Sequence, residues 1–340
     1  MSIDASIKTT IMDQAQGAAA LSIAFVGVAR GLLDALADGP LSAADLARRA
    51  GIDAGYASAW CDAAYAFGYL EEEAGAGFAL TPHGRAFTRG ERESLFGAAV
   101  GAVLGAHMAE RAAHHSVKGD RPGEQVLAER ETFLPLFGPM LEQSFGPFFA
   151  AEIVDRVGVF AELEERHGVA VDLGCGNGWY LRALAKRFPG LRGIGLDGFA
   201  ENIDQARRLA AAQGLADRLD FHEGDLRRFT VAEPVDLIAM NRALHHVWES
   251  GTREVFEILR DHVKPGGAAV IWEPAWPAER RGLKSPAFRM MAVQNLSEHV
   301  QGNHFLRPDE IVAAFAEVGM SATTHLFRGG SEAVIVGRKA

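Results

Sequence analysis

The run Val169-Ala-Val-Asp-Leu-Gly-Cys-Gly-Asn-Gly178, continuing as Trp179-Tyr-Leu-Arg-Ala-Leu-Ala185, decides the fold. It reads as a buried apolar strand, a glycine-rich turn and the start of a helix. Gly174, Gly176 and Gly178 let the backbone turn sharply and let a ligand approach the main chain. The helix that follows aims free N–H groups at that ligand. A tight strand-to-helix turn wants glycine for structural reasons too, so the run alone does not name a ligand. Its spacing departs from the dinucleotide pattern G-x-G-x-x-G, and Asp172 stands where a pyrophosphate would be repelled. A carboxylate there suits a ligand carrying an ammonium or sulfonium charge.

Working outward, Gly193-Ile-Gly-Leu-Asp197 is a second strand ending in an acid, at the distance where a carboxylate can hold two ribose hydroxyls. Phe221-His-Glu-Gly-Asp225-Leu226 is a third strand end, and Val235-Asp-Leu-Ile-Ala-Met-Asn241 is a fourth strand. Val263-Lys-Pro-Gly-Gly267 turns into a fifth, Ala268-Ala-Val-Ile-Trp-Glu273. The stretch from His325 to Arg338 alternates enough for two strands joined at Gly329-Gly330.

This order resembles the class I S-adenosylmethionine-dependent methyltransferases, over about Val169 to Ala340. The resemblance implies an α/β fold: a Rossmann-like sheet with a C-terminal antiparallel strand, holding the methyl donor S-adenosylmethionine at the carboxyl ends of its strands. It assigns Asp172, Gly174 and Gly176 to the methionine part of the donor and Asp197 to the ribose. Asp225 would accept from the adenine amino group, Leu226 would pack on the ring, and Phe199 could cover it. Packing is the alternative for Phe199, and a turn or cap role for Asp225. Asn241 and Arg242 follow the fourth strand, where the chain passes the sulfonium.

The chain has 340 residues, which suits two domains. Its composition is ordinary for a globular protein, and its net charge of −10 argues against a general nucleic-acid binder. Cys61 and Cys175 are the only cysteines, which excludes a disulfide framework and fits a reducing cytoplasm. No basic segment followed by an apolar run suggests a signal peptide, and Ala-rich runs such as Gly17 to Val28 read as too short and interrupted to span a bilayer.

The first part of the chain reads as helices with a hairpin. Apolar helices from Thr10 to Leu36 end at Gly39-Pro40, and Ser42 caps a short helix with Asp45 in its first turn. A helix from Ala54 to Tyr69 and a small hairpin from Glu71 to Thr81 complete a winged-helix-like pattern. Winged helices often bind DNA, but the presumptive recognition helix contains no Lys or Arg and the wing carries Glu71, Glu72 and Glu73. The layout resembles small-molecule O-methyltransferases, in which such a domain forms a homodimer and helps close the substrate pocket. The expected division is 1–105 for this domain, 106–160 for connecting helices that contribute to the substrate pocket, and 161–340 for the catalytic domain. In the connecting region the helical pattern breaks near Gly119 to Gly123 and near Pro135 to Pro139. Its aromatics Phe133, Phe137, Met140, Phe145, Phe148 and Phe149 read as a core stripe, with pocket lining as the alternative for some.

On the acceptor side, Ala243-Leu-His-His-Val-Trp248 is similar to the segment in plant-type O-methyltransferases whose His is the general base, and His245 is the match. The resemblance makes Glu273, at the end of the fifth strand, one flanking acid and Glu310, in Arg307-Pro-Asp-Glu310, a second. His246 stands where that family has Asp, and Glu310 at a helix start also suits the helix dipole. No zinc-type spacing appears, so no metal is expected. The expected function is methyl transfer to a small, largely apolar molecule, first to oxygen, with N- or C-methylation as alternatives on the same scaffold. A donor-sensing winged-helix regulator and a catalytically silent scaffold are the readings from other classes.

Overall fold

The computed structural model describes residues 3–123, 125–129 and 132–339. The chain divides into two compact units, one of residues 1–110 and 127–143, the other of residues 111–126 and 144–340. The segment 106–160, expected as a connector, is shared between them.

The first unit begins with a helix at Ala5–Ala29, capped by Asp4, then Leu32–Ala35, Ala43–Ala50 and Ala54–Ala66. Ser42 accepts from Asp45 N–H as expected, an interaction worth about 1 kcal/mol. Strands β1 (Leu70–Glu73) and β2 (Gly77–Leu80) form the hairpin. Its core gathers Leu32, Leu33, Leu46, Trp60, Phe96 and Phe133. The first helix runs uninterrupted through Gly17, so it is long and apolar enough to cross a membrane, which corrects the expectation that these runs are too short. Only a few of its residues are buried within this unit, and Ile7, Ile11, Met12 and Val26 are exposed. In the other segment that was expected to break, Leu134–Phe148 is one helix that includes Pro135 and Pro139. Pro135 lies in its first turn, where no N–H is needed.

The second unit is built on a seven-stranded sheet. Its strands are β3 (Val169–Leu173), β4 (Arg192–Asp197), β5 (Leu219–Glu223), β6 (Val235–Asn241), β7 (Val263–Pro274), β8 (Met320–Phe327) and β9 (Glu332–Lys339). The order is β5-β4-β3-β6-β7-β9-β8, and only β9 runs against its neighbours. This is a Rossmann-like methyltransferase sheet, with the antiparallel strand near the C-terminus. The strand order reverses at β3, and β3 and β6 part at their carboxyl ends, where such sheets bind ligands. β6 is buried nearly throughout, as a central parallel strand with helices on both faces requires.

One face of the second unit is unusually aromatic. A single π turn at Phe149–Ile153 follows the Pro147-containing helix end and turns Phe149 inward. Phe149 lies stacked on Trp272 at 5.9 Å and meets Tyr180 at 4.7 Å, with Trp179 and Phe160 at its edges. The core reading therefore holds for Phe133, Phe145 and Phe149, which are buried, whereas Phe137 is exposed.

Candidate active site

The glycine turn after β3 is fixed by the neighbouring strand. Gly174 N–H and Cys175 N–H both donate to the Leu196 carbonyl, and Gly176 N–H donates to Asp197 Oδ2 at 2.8 Å. Gly174 has φ +79°, and a Cβ there would lie 2.6 Å from the Ala243 methyl. A left-handed turn and a close approach thus coincide at one residue, so only glycine fits.

Asp172 sits 2% exposed at the end of β3. Burial, reinforced by Asp197 and only partly opposed by the hydrogen bond from Asn241, pushes its pKa up to about 7. Asn241 Nδ2 donates to Asp172 Oδ1 at 2.8 Å, while among the described residues the buried Asn241 Oδ1 has no hydrogen-bond partner, and neither has the buried Tyr180 hydroxyl. Unpaired buried polar atoms cost about 1–3 kcal/mol each, so native proteins keep them where something else completes the bond. A carboxylate held near half-protonation beside an orphan carbonyl oxygen is a receptor for an ammonium group. The residues therefore fit the amino-acid end of the donor that the fold implies.

Asp197 accepts from Gly176 N–H, Phe199 N–H at 3.0 Å and Asn202 Nδ2 at 3.0 Å. Those bonds leave the carboxylate about one acceptor position. Phe199 is 53% exposed, beside it at the mouth of β4. Asp225 is at the surface, caps the short turn Leu226–Arg228 and pairs with Arg227 at 2.9 Å, which holds its carboxyl below the usual range. Leu226 packs partly buried against the sheet core. Arg242, with φ +56°, turns its side chain to Glu332 at 2.9 Å and over the Phe145 ring at 4.1 Å.

A second cluster lies past β6. His245, on the short turn Leu244–His246, is 4% exposed, and its Nδ1–H donates to Glu273 Oε2 at 2.6 Å. Glu273 also accepts the Leu244 N–H at 2.8 Å and the His245 N–H at 3.4 Å through Oε1. Burial opposes ionisation of Glu273, but the hydrogen bond of the His245 ring, its charge when the ring is protonated, and Arg242 outweigh it and leave the carboxyl below its usual range. The arrangement fixes the imidazole tautomer, so Nε2 carries the reactive lone pair.

The second carboxylate at this ring is Glu298, on the helix Pro286–Gln301, with Oε2 3.7 Å from His245 Nε2. Sequence reasoning did not find it, since nothing in the spacing of that helix marks it. Glu310, the acid expected there, closes a capping box instead: its carboxylate accepts the Arg307 N–H at 2.7 Å at the start of Pro308–Glu317. Phe305 meets the His245 ring edge-on at 5.2 Å, and Asn303 bonds His246 Nδ1 at 2.9 Å. His245, His246 and Glu298 bring ligand atoms within 4.8 Å of one another, so this group could also hold a divalent ion.

Comparison with known proteins bears on the fold and the domain. Residues 170–267 match a methyltransferase domain. Over 141 residues the chain is 33% identical to trans-aconitate 2-methyltransferase of Streptomyces avermitilis, covering 42% of this chain and 48% of that protein. The chain thus spans about half the length, or less, of the first curated relatives it matches. Acetylserotonin O-methyltransferase of Mus musculus is 26% identical over 290 residues, covering 77% of this chain and 72% of that protein. The structure of an O-methyltransferase family protein from Burkholderia thailandensis superposes with a TM-score of 0.73 at 22% identity, covering 100% of this chain and 99% of that one. By sheet order, glycine turn and domain match, residues 170–267 carry a methyltransferase domain, and the chain has the fold of an O-methyltransferase family protein.

Proposed function

We propose that the protein transfers the methyl group of S-adenosylmethionine to a hydroxyl of a small, largely apolar acceptor, with His245 as general base. The observation that carries the reading is the buried Glu273–His245 pair, which presents Nε2 beside Glu298 at the carboxyl end of the sheet. When bound, the donor supplies a methyl group already activated on a sulfonium. The work left to the chain is binding, alignment and removal of one proton.

In this reading, Asp172 and the Asn241 Oδ1 hold the donor's ammonium group. Asp197 takes a ribose hydroxyl in its remaining acceptor position, and Phe199, Asp225 and Leu226 border the adenine. Gly174 and Gly176 keep the path to the main chain clear. Arg242 acts through its ion pair with Glu332. With the donor held there, its methyl group would pass to the acceptor oxygen as the carbon–sulfur bond breaks, the bonding pair staying with sulfur. The hydroxyl proton passes to His245 Nε2. The imidazolium then lies between Glu273 on Nδ1 and Glu298 near Nε2, two carboxylates that stabilise it where it forms. Glu310 serves the helix start.

For the first unit we propose a homodimer contact. Tyr56 and Val26 are exposed beside a groove also lined by Ile23, Ile52 and Trp60, a surface of the apolar kind that copies of a chain cover. The acidic hairpin gives no support to nucleic-acid binding, since β1 presents exposed Glu71, Glu72 and Glu73.

The test is a transfer screen with isotopically labelled donor over phenols, carboxylic acids, amines and enolisable carbons, with the new bond located by mass spectrometry. Transfer to oxygen that collapses in His245→Ala supports the reading. Transfer to nitrogen or carbon, or transfer that survives the substitution, removes the acceptor assignment and leaves the donor site standing.

A further inference from the structure

We infer that Arg328, with the phenylalanine shelf beneath it, is a carboxylate-binding subsite, and that the acceptor is therefore an aromatic hydroxy acid. This deepens the reading above and rests on it for the transfer step alone.

Arg328 lies in the turn between β8 and β9, at φ +47°, followed by Gly329 and Gly330 with positive φ. A left-handed arginine costs about 1–2 kcal/mol, so something else must hold it there. Its guanidinium lies 4.0 Å from the Phe148 ring centroid and 5.6 Å from that of Phe145. Among the described residues its one hydrogen bond is from Nη2 to the Ser144 carbonyl at 3.2 Å.

Among the described residues no carboxylate is hydrogen-bonded to the Arg328 guanidinium. Arg242 lies over the same Phe145 ring, and it has Glu332. Both Glu332 oxygens accept from Arg242 Nη1, and Oε2 also accepts from Trp272 Nε1 at 2.8 Å. Two guanidiniums thus share one committed carboxylate, and the second keeps most of its fork of donors. A planar guanidinium backed by an aromatic ring is the group that binds a carboxylate through two parallel bonds. A guanidinium with most of its donors uncommitted suits a carboxylate, and the half-buried Phe148 face beside it suits a ring attached to that anion.

The subsite also stands at the right end of the sheet. Glu332 pairs in register with Pro274, next to Glu273, and Arg242 N–H donates to the Trp272 carbonyl at 2.7 Å. Arg242 precedes the His245 turn directly in the chain.

The experiment is calorimetric titration of protein saturated with S-adenosylhomocysteine. The probes are a hydroxynaphthoic acid and a hydroxycinnamic acid, each with its carboxamide, on wild type, Arg328→Gln and Arg328→Lys. Unchanged S-adenosylhomocysteine affinity in the variants shows that the fold is kept. The expected result is that at least one acid binds about tenfold or more tightly than its amide, that Arg328→Gln erases the preference and that Arg328→Lys keeps part of it. No Arg328-dependent preference in either pair overturns the subsite, whatever transfer activity is found. An acid that binds through Arg328 and is not methylated on oxygen leaves the subsite standing and counts against the O-methyltransferase reading.

Discussion

At the residue scale, Asp172 is the group whose chemistry is most unusual. Its carboxyl, raised to about 7 by burial, is half ionised near neutrality in the free protein. A ligand ammonium binds the ionised form, so binding releases a proton and affinity rises with pH through this range. Calorimetry with S-adenosylhomocysteine should show affinity increasing severalfold from about pH 6 to about pH 7.5, with proton release to the buffer. A flat profile would place the ammonium elsewhere. The sign for stability is opposite: between its ordinary value and 7 the native state binds the proton that the unfolded state has lost, so ionising Asp172 destabilises the ligand-free fold as pH rises. Asp172→Asn should therefore raise the melting temperature of the ligand-free protein at about pH 8 while it abolishes donor binding. Around His245, Glu273→Gln should lower kcat by about 100-fold through loss of ring orientation, and Glu298→Gln by about tenfold, with little change in donor affinity. Glu310→Ala should leave kcat unchanged and cost about 0.5–1 kcal/mol of stability through the lost cap. Treatment with a chelator should leave transfer intact, because the proposed base is the free Nε2, and added zinc should inhibit by taking it up.

At the element scale, the glycine turn and the His245 turn are one assembly. Gly174 packs against Ala243, two residues before His245, so Gly174→Ala should displace both loops. The expected cost is about 1–3 kcal/mol in chemical denaturation, together with loss of donor binding. Gly178→Ala should destabilise by a similar amount, because its Cβ would lie 2.6 Å from the Phe221 ring. This assembly was legible in the sequence: the G-x-G-x-G turn, the acids and Leu-His-His lie at or just past the ends of regular strands, whose positions follow from period. Glu273 was legible for the same reason. Glu298, Asn202 and Arg328 were not. Glu298 and Arg328 are brought in by long-range packing of a helix and a hairpin turn, and no local spacing encodes which face of Pro286–Gln301 meets His245, whereas Asn202 is local to Asp197 and carries no motif of its own. For Glu310 the sequence left two roles open, an acid beside the base or a helix-start residue, and the structure shows its carboxylate in the capping box. Pro139 did not break its helix, since the loss of one hydrogen bond was outweighed by the packing that holds the segment.

At the scale of the whole molecule, the fold class and the two-part layout followed from order alone: helices and a hairpin first, then alternating strands and helices. The finer division, in which Leu127–Gln143 packs with the first unit and residues from Ser144 with the second, is marked by no composition shift in the sequence. The long Ala5–Ala29 helix, with Ile7, Ile11 and Met12 exposed, and the groove beside Tyr56 make self-association the expected state. Sedimentation should show a dimer for wild type and a shift toward monomer in Tyr56→Glu. A monomeric wild type would remove the proposed role of this unit.

The measurement that tests the central claim most directly is the single-turnover rate of wild type and His245→Gln with a phenolic acceptor, from about pH 6 to about pH 10. The account predicts a variant slower by at least about 100-fold near neutrality, where the phenol must give up its proton to the protein. The two rates should converge as the phenol, with a pKa of about 10, ionises by itself. Equal rates at neutral pH would contradict the assignment of His245 as the base.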